Sequence, residues 1–111
     1  MPTLPPFDQE AMDRRFVWEA FRLQEEGHIT SFRELAAQLG AGSSLLSQIE
    51  AGKYHANQRL LYELARLYPM TDVQWILLGE AGTQRPEPEG WPVRKRGRVW
   101  PKKTDTAAVT D

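Results

Sequence analysis

The chain has 111 residues, 41% hydrophobic and 26% charged, which suits one small folded domain with extensions. It contains no cysteine, which excludes disulfides and thiolate metal sites and fits a reducing compartment. Its longest strongly apolar run, residues 75–78, is far shorter than the roughly 20 residues of a membrane span, and no secretion-signal pattern is present. We therefore expect a cytoplasmic protein without membrane association.

The net charge of −1 conceals an uneven distribution along the chain. Residues 1–79 carry seven Lys and Arg against ten Asp and Glu, whereas residues 91–103 carry six basic residues and no acidic one. A block of like charge indicates a solvated tail or a segment that binds an anionic partner. An acidic body with a basic extension is the first functional indication.

A first helix is predicted from Asp8 to about Gly27, because apolar residues recur there at spacings of three to four. These residues are Met12, Phe16, Ala20 and Leu23. Trp18 lies off this apolar face, which widens the apolar circumference of the helix. We therefore expect Trp18 to contact a second subunit or the C-terminal segment.

Two short helices are predicted next, with a glycine turn between them. Ser31 is a good N-cap with a glutamate three residues later, and Gly40 supplies a left-handed stop. The third helix then covers residues 44–50, with its cap supplied by Gly42 or Ser43.

The last two predicted helices complete the domain. Asn57 caps a fourth helix that Pro69 ends, and Thr71 or Asp72 caps a fifth that Gly79 terminates. Nowhere in the first 79 residues do four or more β-branched or aromatic residues alternate with polar ones. The predicted fold class is therefore all-α, with five helices over residues 8–79.

The second and third helices and the short turn at residues 40–42 have the form of a helix-turn-helix. Here the sequence resembles the lambda-repressor/Cro-like helix-turn-helix family, also called the xenobiotic-response-element type. The resemblance spans residues 30–79 and rests on Leu35-Ala36, Gly40, the run SLLSQIEAGK at 44–53 and WILLG at 75–79. It implies a five-helix DNA-binding transcriptional regulator, by default a repressor, that binds a two-fold operator as a homodimer.

The family motif, matched residue by residue, implies that Ser43, Ser44 and Gln48 contact base edges, with Ser47 close by. The chemistry agrees, because a glutamine amide can bond adenine through two hydrogen bonds and a serine can donate or accept. Leu45 falls where a side chain could touch a thymine methyl group.

Phosphate contacts are expected from Lys53 and Arg59, which follow the third helix. Phe32 stands where the family often has a phosphate-binding glutamine, so this part of the motif departs from the pattern. Arg22 is the nearest candidate to pair with Glu50. Since the body is acidic, DNA binding needs a second subunit, a basic extension or both.

The remaining segments are assigned by composition. Residues 1–7 are predicted to be an N-terminal arm, residues 80–90 a linker rich in proline and glycine, and residues 104–111 a disordered tail. Between the linker and the tail lies the basic segment at 91–103.

Two structures remain open for the basic segment. The run KRGR followed by PKK resembles an AT-hook, which implies minor-groove contacts from its arginines. The alternative is a β-hairpin around Gly97 that docks on the helices or on a second subunit. The candidate DNA contacts are Arg94, Arg96 and Arg98, and the candidate docking residues are Trp91, Val93, Val99 and Trp100.

Two functional alternatives also remain open. One is an antitoxin of the same fold whose tail wraps a toxin, and the other is a protein-interaction module that binds polymerase or another regulator. His28 and His55 have no cysteine or carboxylate at metal-ligand spacing, and surface positions explain them. We therefore expect no enzyme activity, no metal and no cofactor.

Overall fold

The structure is a computed structural model that describes residues 4–93. Within that range the chain forms six α-helices and no β-strand, in agreement with the all-α prediction. The helices are α1 (Gln9–Glu25), α2 (Phe32–Gln38), α3 (Leu45–Glu50), α4 (Gln58–Leu67), α5 (Val73–Leu78) and α6 (Glu80–Thr83). No helix of this described range is long and apolar enough to span a bilayer.

Three predicted N-caps are confirmed. The side-chain oxygens of Ser31, Asn57 and Asp72 accept from the backbone N–H three residues later, at 3.0, 2.9 and 3.0 Å. Each bond satisfies an N–H that has no partner within its helix. These caps fix where α2, α4 and α5 begin.

The predicted cap of α3 is wrong. The helix begins at Leu45, and Ser44 holds the N-cap position without a side-chain bond to the helix backbone. Because Ser44 is not extended (φ −96°, ψ 14°), its hydroxyl does not reach over the first turn as that of Ser31 does. The start of α3 is fixed instead by burial of Leu45 and Leu46.

α1 is the central element and packs against α2, α3 and α5. Its apolar face meets the inner faces of all the helices from α2 to α5 in one continuous core. The most buried core residues are Phe16, Val17, Ala20, Leu23, Ile29, Leu35, Ala36, Leu39, Leu46, Ile49, Ala56, Leu60, Leu64, Trp75 and Ile76.

Residues 80–90, predicted as a linker, fold back onto the helices. The segment starts with α6 and continues to Arg85, whose guanidinium lies over the Trp75 ring at 3.7 Å. The Trp75 indole donates to the Arg85 carbonyl at 3.1 Å. The prolines at 86 and 88 disfavour helix in the part that follows α6, but they do not exclude contact with the core.

Residues 85–91, which we call the strap, lie against α1. Arg15 donates two hydrogen bonds to the Glu87 carboxylate, at 3.0 and 3.1 Å. The Trp18 indole donates to the Gly90 carbonyl at 2.7 Å. The strap therefore extends the folded body well past the boundary predicted at residue 79.

Candidate nucleic-acid interface

The turn between α2 and α3 is closed by backbone hydrogen bonds around Gly40. This glycine has φ +75°, and the Ala41 N–H donates to the Ala36 carbonyl at 2.9 Å. Arg59 at the start of α4 donates to the Leu39 carbonyl at 3.2 Å. The turn thus holds α2, α3 and α4 in a fixed relation.

α3 has two distinct faces. Leu45, Leu46 and Ile49 are buried in the core, whereas Ser47 and Gln48 are exposed. Ser43 and Ser44 are exposed just before the helix, and helical periodicity brings position 44 above position 48. We call this exposed polar surface, Ser43, Ser44, Ser47 and Gln48, the α3 face.

The expected contact of Leu45 with a thymine methyl group is wrong. The Leu45 side chain is only 5% exposed, because it lies four residues before Ile49 on the core side of α3. The α3 face is therefore wholly polar.

One hydrogen bond orders the side chains of the α3 face. The Gln48 Nε2 donates to the Ser44 Oγ at 2.9 Å. This bond holds the exposed Gln48 amide toward the N-terminal end of α3. The pair presents donors and acceptors together, as recognition of a base edge requires.

Two cations flank the α3 face. The Lys53 N–H donates to the Gln48 carbonyl at 2.8 Å, which fixes Lys53 directly after α3. Arg59 lines an open groove of about 290 Å³ together with Gln48 and Tyr54. Between residues 38 and 59, the sole acid is Glu50. The vicinity of the α3 face is thus less acidic than the domain as a whole.

Much of the negative charge of the domain lies elsewhere. Asp13 and Glu19 are buried in α1, and Glu63 pairs with Arg66 on α4. Glu34 accepts from the N–H and the hydroxyl of Thr30, and these hydrogen bonds lower its pKa. These contacts leave the net charge of the domain unchanged, but the carboxylates of Asp13 and Glu19 are withdrawn from its surface.

A buried carboxylate holds the segment that follows α3. Asp13 accepts from the Ala56 N–H at 2.8 Å and from the Gln9 amide at 2.8 Å. His55 Nδ1 lies 2.7 Å from Asp13 Oδ2, although the His55 side chain is 57% exposed. His55 is thus a surface residue, as predicted, but sequence reasoning missed its partner 42 residues earlier.

A second buried carboxylate, Glu19, joins three parts of the chain. It accepts from Arg22 at 2.8 Å, from Arg85 at 3.0 Å and from the Asp72 N–H at 2.7 Å. Burial alone would raise the pKa of Glu19, but these hydrogen bonds outweigh it and the pKa is lowered.

Arg22 does not serve the role suggested by sequence. Its guanidinium pairs with Glu19 and with Glu26, the latter at 2.9 Å, instead of with Glu50. These two carboxylates raise the pKa of Arg22 despite its partial burial. The reason is register, since Glu19 and Glu26 lie three and four residues from Arg22 along α1.

The predicted docking residues behave differently from one another. Trp18 donates to Gly90, which lies in the predicted linker at 80–90, and its ring packs edge-on against that of Phe21 with the ring centres 5.6 Å apart. Trp91 is half-buried, while Val93 is 81% exposed and does not dock on the described residues. The predictions for Arg94, Arg96, Arg98, Val99 and Trp100 lie outside the described residues.

Residues 4–93 contain no group of three or more His, Asp or Glu side chains arranged to hold a metal ion. Comparison with protein-family models, with curated proteins and with solved structures finds no match to this chain.

Proposed function

We propose that the protein is a cytoplasmic, sequence-specific DNA-binding regulator of transcription, by default a repressor, with a lambda-repressor-like fold. The observation that carries the proposal is the α3 face, a cluster of four exposed polar side chains on a helix whose apolar side is fully buried. α3 follows a tight turn after α2, as the second helix of a helix-turn-helix does. In this role α3 enters the major groove, and Gln48 and the serines contact base edges.

The length of α3 limits what one subunit can recognise. Six residues at about 1.5 Å each give a helix of about 9 Å, which matches roughly three base pairs at 3.4 Å per pair. Three base pairs are too few to define an operator. A homodimer on half-sites about 34 Å apart doubles the number of base pairs recognised.

The small number of cations near α3 also favours a homodimer. Lys53 and Arg59 are the cations that flank the α3 face, and each phosphate contact contributes about 0.9 to the logarithmic salt slope. Two contacts per subunit give weak binding. Two subunits, with Arg94, Arg96 and Arg98 as further contacts, give the six to ten contacts typical of strong salt dependence.

An exposed apolar surface supports the homodimer. Phe7, Tyr62 and Leu77 line an open groove of about 940 Å³ between the start of α1, α4 and α5. Phe7 is 71% exposed and Tyr62 is 66% exposed, and apolar surface of this kind marks protein contacts. A second copy of this chain is the occupant we propose, because recognition of an operator needs two copies of α3.

The oligomeric state tests this part of the proposal. Sedimentation equilibrium of the full chain should show a dimer, and Tyr62→Lys should shift it toward monomer. A wild-type chain that stays monomeric at all concentrations contradicts the homodimer. If that monomer binds a heterologous protein but not DNA, the groove belongs to an antitoxin or a protein-interaction module.

DNA recognition is tested by binding to mixed-sequence duplex and to duplex selected from a random library. Affinity for both should fall steeply between about 50 and about 200 mM salt, and a flat salt response contradicts DNA binding. Gln48→Ala should lose about 1–3 kcal/mol of preference at one base position. Gln74→Ala, an exposed glutamine on α5, is the matched control and should change neither property.

A further inference from the structure

We propose that the open groove lined by Tyr54 and Arg59 holds one phosphate of the DNA backbone, beside the base pairs that the α3 face contacts. This inference rests on the proposed function, to which it adds Tyr54 as a DNA-contacting residue and a fixed orientation of α3 on the duplex. We call this site the Tyr54 groove, and it is lined by residues 40–42, Ser44, Leu45, Gln48, Tyr54 and Arg59.

The polar side chains of the Tyr54 groove are hydrogen-bond donors. Arg59 carries a positive charge, and the Tyr54 hydroxyl and the Gln48 amide can each donate a hydrogen bond. The Ser44 hydroxyl adds a further donor. None of the described residues that line the groove is acidic. A cation and several neutral donors, gathered without a carboxylate, form a site for an anion with several oxygen acceptors.

These donors keep hydrogens that bonds within the protein do not use. Among residues 4–93, the hydrogen bond of the Arg59 guanidinium is the one from Nη1 to the Leu39 carbonyl, and a guanidinium has five N–H donors. The Tyr54 hydroxyl accepts from the Asn57 amide at 3.5 Å. The Ser44 hydroxyl accepts from Gln48 at 2.9 Å. Each hydroxyl therefore retains its own hydrogen for a phosphate oxygen.

Short contacts hold the walls of the Tyr54 groove in place. The Tyr54 N–H donates to the Gln48 carbonyl at 3.3 Å, which ties the Tyr54 backbone to α3. Arg59 is tied to the turn through the Leu39 carbonyl. The donors are thus arranged before DNA binds, and such preorganisation lowers the entropy lost on binding.

The turn leaves room for a phosphate to approach its backbone. A Cβ at Gly42 would meet no atom within 4 Å, and a Cβ at Gly40 would meet only Arg59 Nη1, at 4.0 Å. The groove has a volume of about 290 Å³, whereas one molecule of liquid water occupies roughly 30 Å³. A phosphate group and several water molecules therefore fit.

The surroundings of α3 differ in charge between its two ends. The Tyr54 groove lies beside Ser44 and Gln48, in the N-terminal part of the helix. The cavity at the C-terminal end is lined by three acids, Glu10, Asp13 and Glu50. A phosphate is attracted to the first site and repelled by the second, so the N-terminal part of α3 lies toward the DNA backbone. Because phosphate contacts set the register, this one determines which base pair Gln48 meets.

The site is tested by removing one phosphate charge at a time. The full chain is assayed on a duplex that the wild type selects from a random library, in which a neutral methylphosphonate replaces each phosphate in turn. Wild-type affinity should fall by about tenfold or more at one phosphate per half-site that adjoins the base pair recognised by Gln48. At that phosphate the loss should shrink by at least about threefold in Tyr54→Phe and in Arg59→Gln, because part of the contact is already missing.

Matched variants show whether the two residues share a phosphate. Lys53→Gln should leave the loss at this phosphate unchanged and reduce the loss at a different one. Arg59→Lys keeps the charge and should keep the salt slope, whereas Arg59→Gln should lower it by about 0.9 per subunit. If urea denaturation shows that Arg59→Gln disturbs the turn, Tyr54→Phe, which removes only a hydroxyl, decides the test. Coupling of Tyr54 and Arg59 to different phosphates, or to none, overturns the proposal.

A carboxylate placed at the groove provides a second test. Gly42→Glu points into open space and should lower affinity for every duplex by at least about tenfold, through repulsion of the bound phosphate. A methylphosphonate at the coupled phosphate should relieve this loss. Gln74→Glu, the same charge change on α5, is the control and should alter affinity by less than about twofold. Equal losses in the two variants contradict the proposed site.

These experiments separate the inference from the proposed function. If Gln48→Ala alters base preference but no phosphate couples to Tyr54 or Arg59, the inference fails and the proposed function stands. A wild-type chain that shows no salt-dependent binding to any duplex overturns both.

Discussion

The buried carboxylate of Glu19 in α1 lies 3.0 Å from the guanidinium of Arg85, 66 residues later in the chain. Glu19 is fully buried, and burial of a lone carboxylate costs several kcal/mol. Arg22 and the Asp72 N–H complete its set of donors. The core therefore depends on Arg85, which lies beyond the domain boundary predicted at residue 79.

Replacement of Glu19 by Ala should lower the free energy of unfolding by about 1–3 kcal/mol, since it leaves the Asp72 N–H without its acceptor and removes one of the two carboxylate partners of Arg85 and of Arg22. Urea denaturation followed by circular dichroism measures this loss. Glu63→Ala, which breaks an exposed pair with Arg66, is the matched control and should cost at most about 1 kcal/mol. Equal losses in the two variants would show that the Glu19 network does not stabilise the fold.

The stability should also depend on pH through Glu19. Its pKa is lowered on folding from an ordinary 4.5, so the native state favours the ionised form. The contribution is therefore fully present above about pH 5 and is lost as the pH falls through the lowered folded pKa. Glu19→Gln should flatten the decline of unfolding free energy in this acidic range. A wild-type curve that rises on acidification contradicts the lowered pKa.

The Asp13 network should hold the segment between α3 and α4. Asp13→Ala leaves the Ala56 N–H without an acceptor, which should cost about 1–3 kcal/mol and speed hydrogen exchange at that amide. His55→Gln removes only the exposed side of the network and should cost at most about 1 kcal/mol. Unchanged protection of the Ala56 amide in Asp13→Ala would rule out this role.

Replacement by alanine should affect the free energy of unfolding differently at the two glycines of the turn. Gly40 has φ +75°, so Gly40→Ala should cost about 1–2 kcal/mol although a Cβ there meets no atom closer than 4.0 Å. Gly42 has no positive φ and open space around it, so Gly42→Ala should be neutral or stabilise by up to about 1 kcal/mol. Denaturation midpoints of the two variants measure this contrast, and equal shifts would contradict it.

Substitution of a proposed phosphate-contacting residue and of a proposed base-contacting residue should have different effects on DNA binding. Lys53→Gln should weaken binding to all duplexes and lower the salt slope by about 0.9 per subunit, because it removes one phosphate contact. Gln48→Ala should leave the slope unchanged and alter preference at a single base position. A Lys53→Gln variant with altered base preference would show that Lys53 lies in the groove.

The helical part of the fold could be predicted from sequence because its signals are local. Ser31, Asn57 and Asp72 each cap a helix through a bond to a backbone group three residues away, which sequence spacing shows directly. The start of α3 could not be predicted in this way. Its N-cap residue, Ser44, makes no side-chain bond to the helix backbone, and Leu45, which begins the helix, is buried in the core.

The long-range contacts could not be predicted, because no local pattern encodes them. Asp13 and Ala56 are 43 residues apart, and Arg15 and Glu87 are 72 apart. Composition marked residues 80–90 as a linker because proline and glycine disfavour helix and strand, but it carries no information about hydrogen bonds with α1. The polar α3 face was predicted, since helical periodicity alone separates it from Leu46 and Ile49.

The strap has a consequence for biosynthesis. A ribosome adds roughly 5–20 residues per second, so the 66 residues between Glu19 and Arg85 separate their synthesis by about 3–13 seconds. During that interval the rest of α1 and the helices α2 to α6 are made, yet the donors that stabilise Glu19 are incomplete. The contacts of α1 with Arg85, Glu87 and Gly90 therefore form only after these residues have been synthesised, and nascent chains that stop at residue 79 lack them.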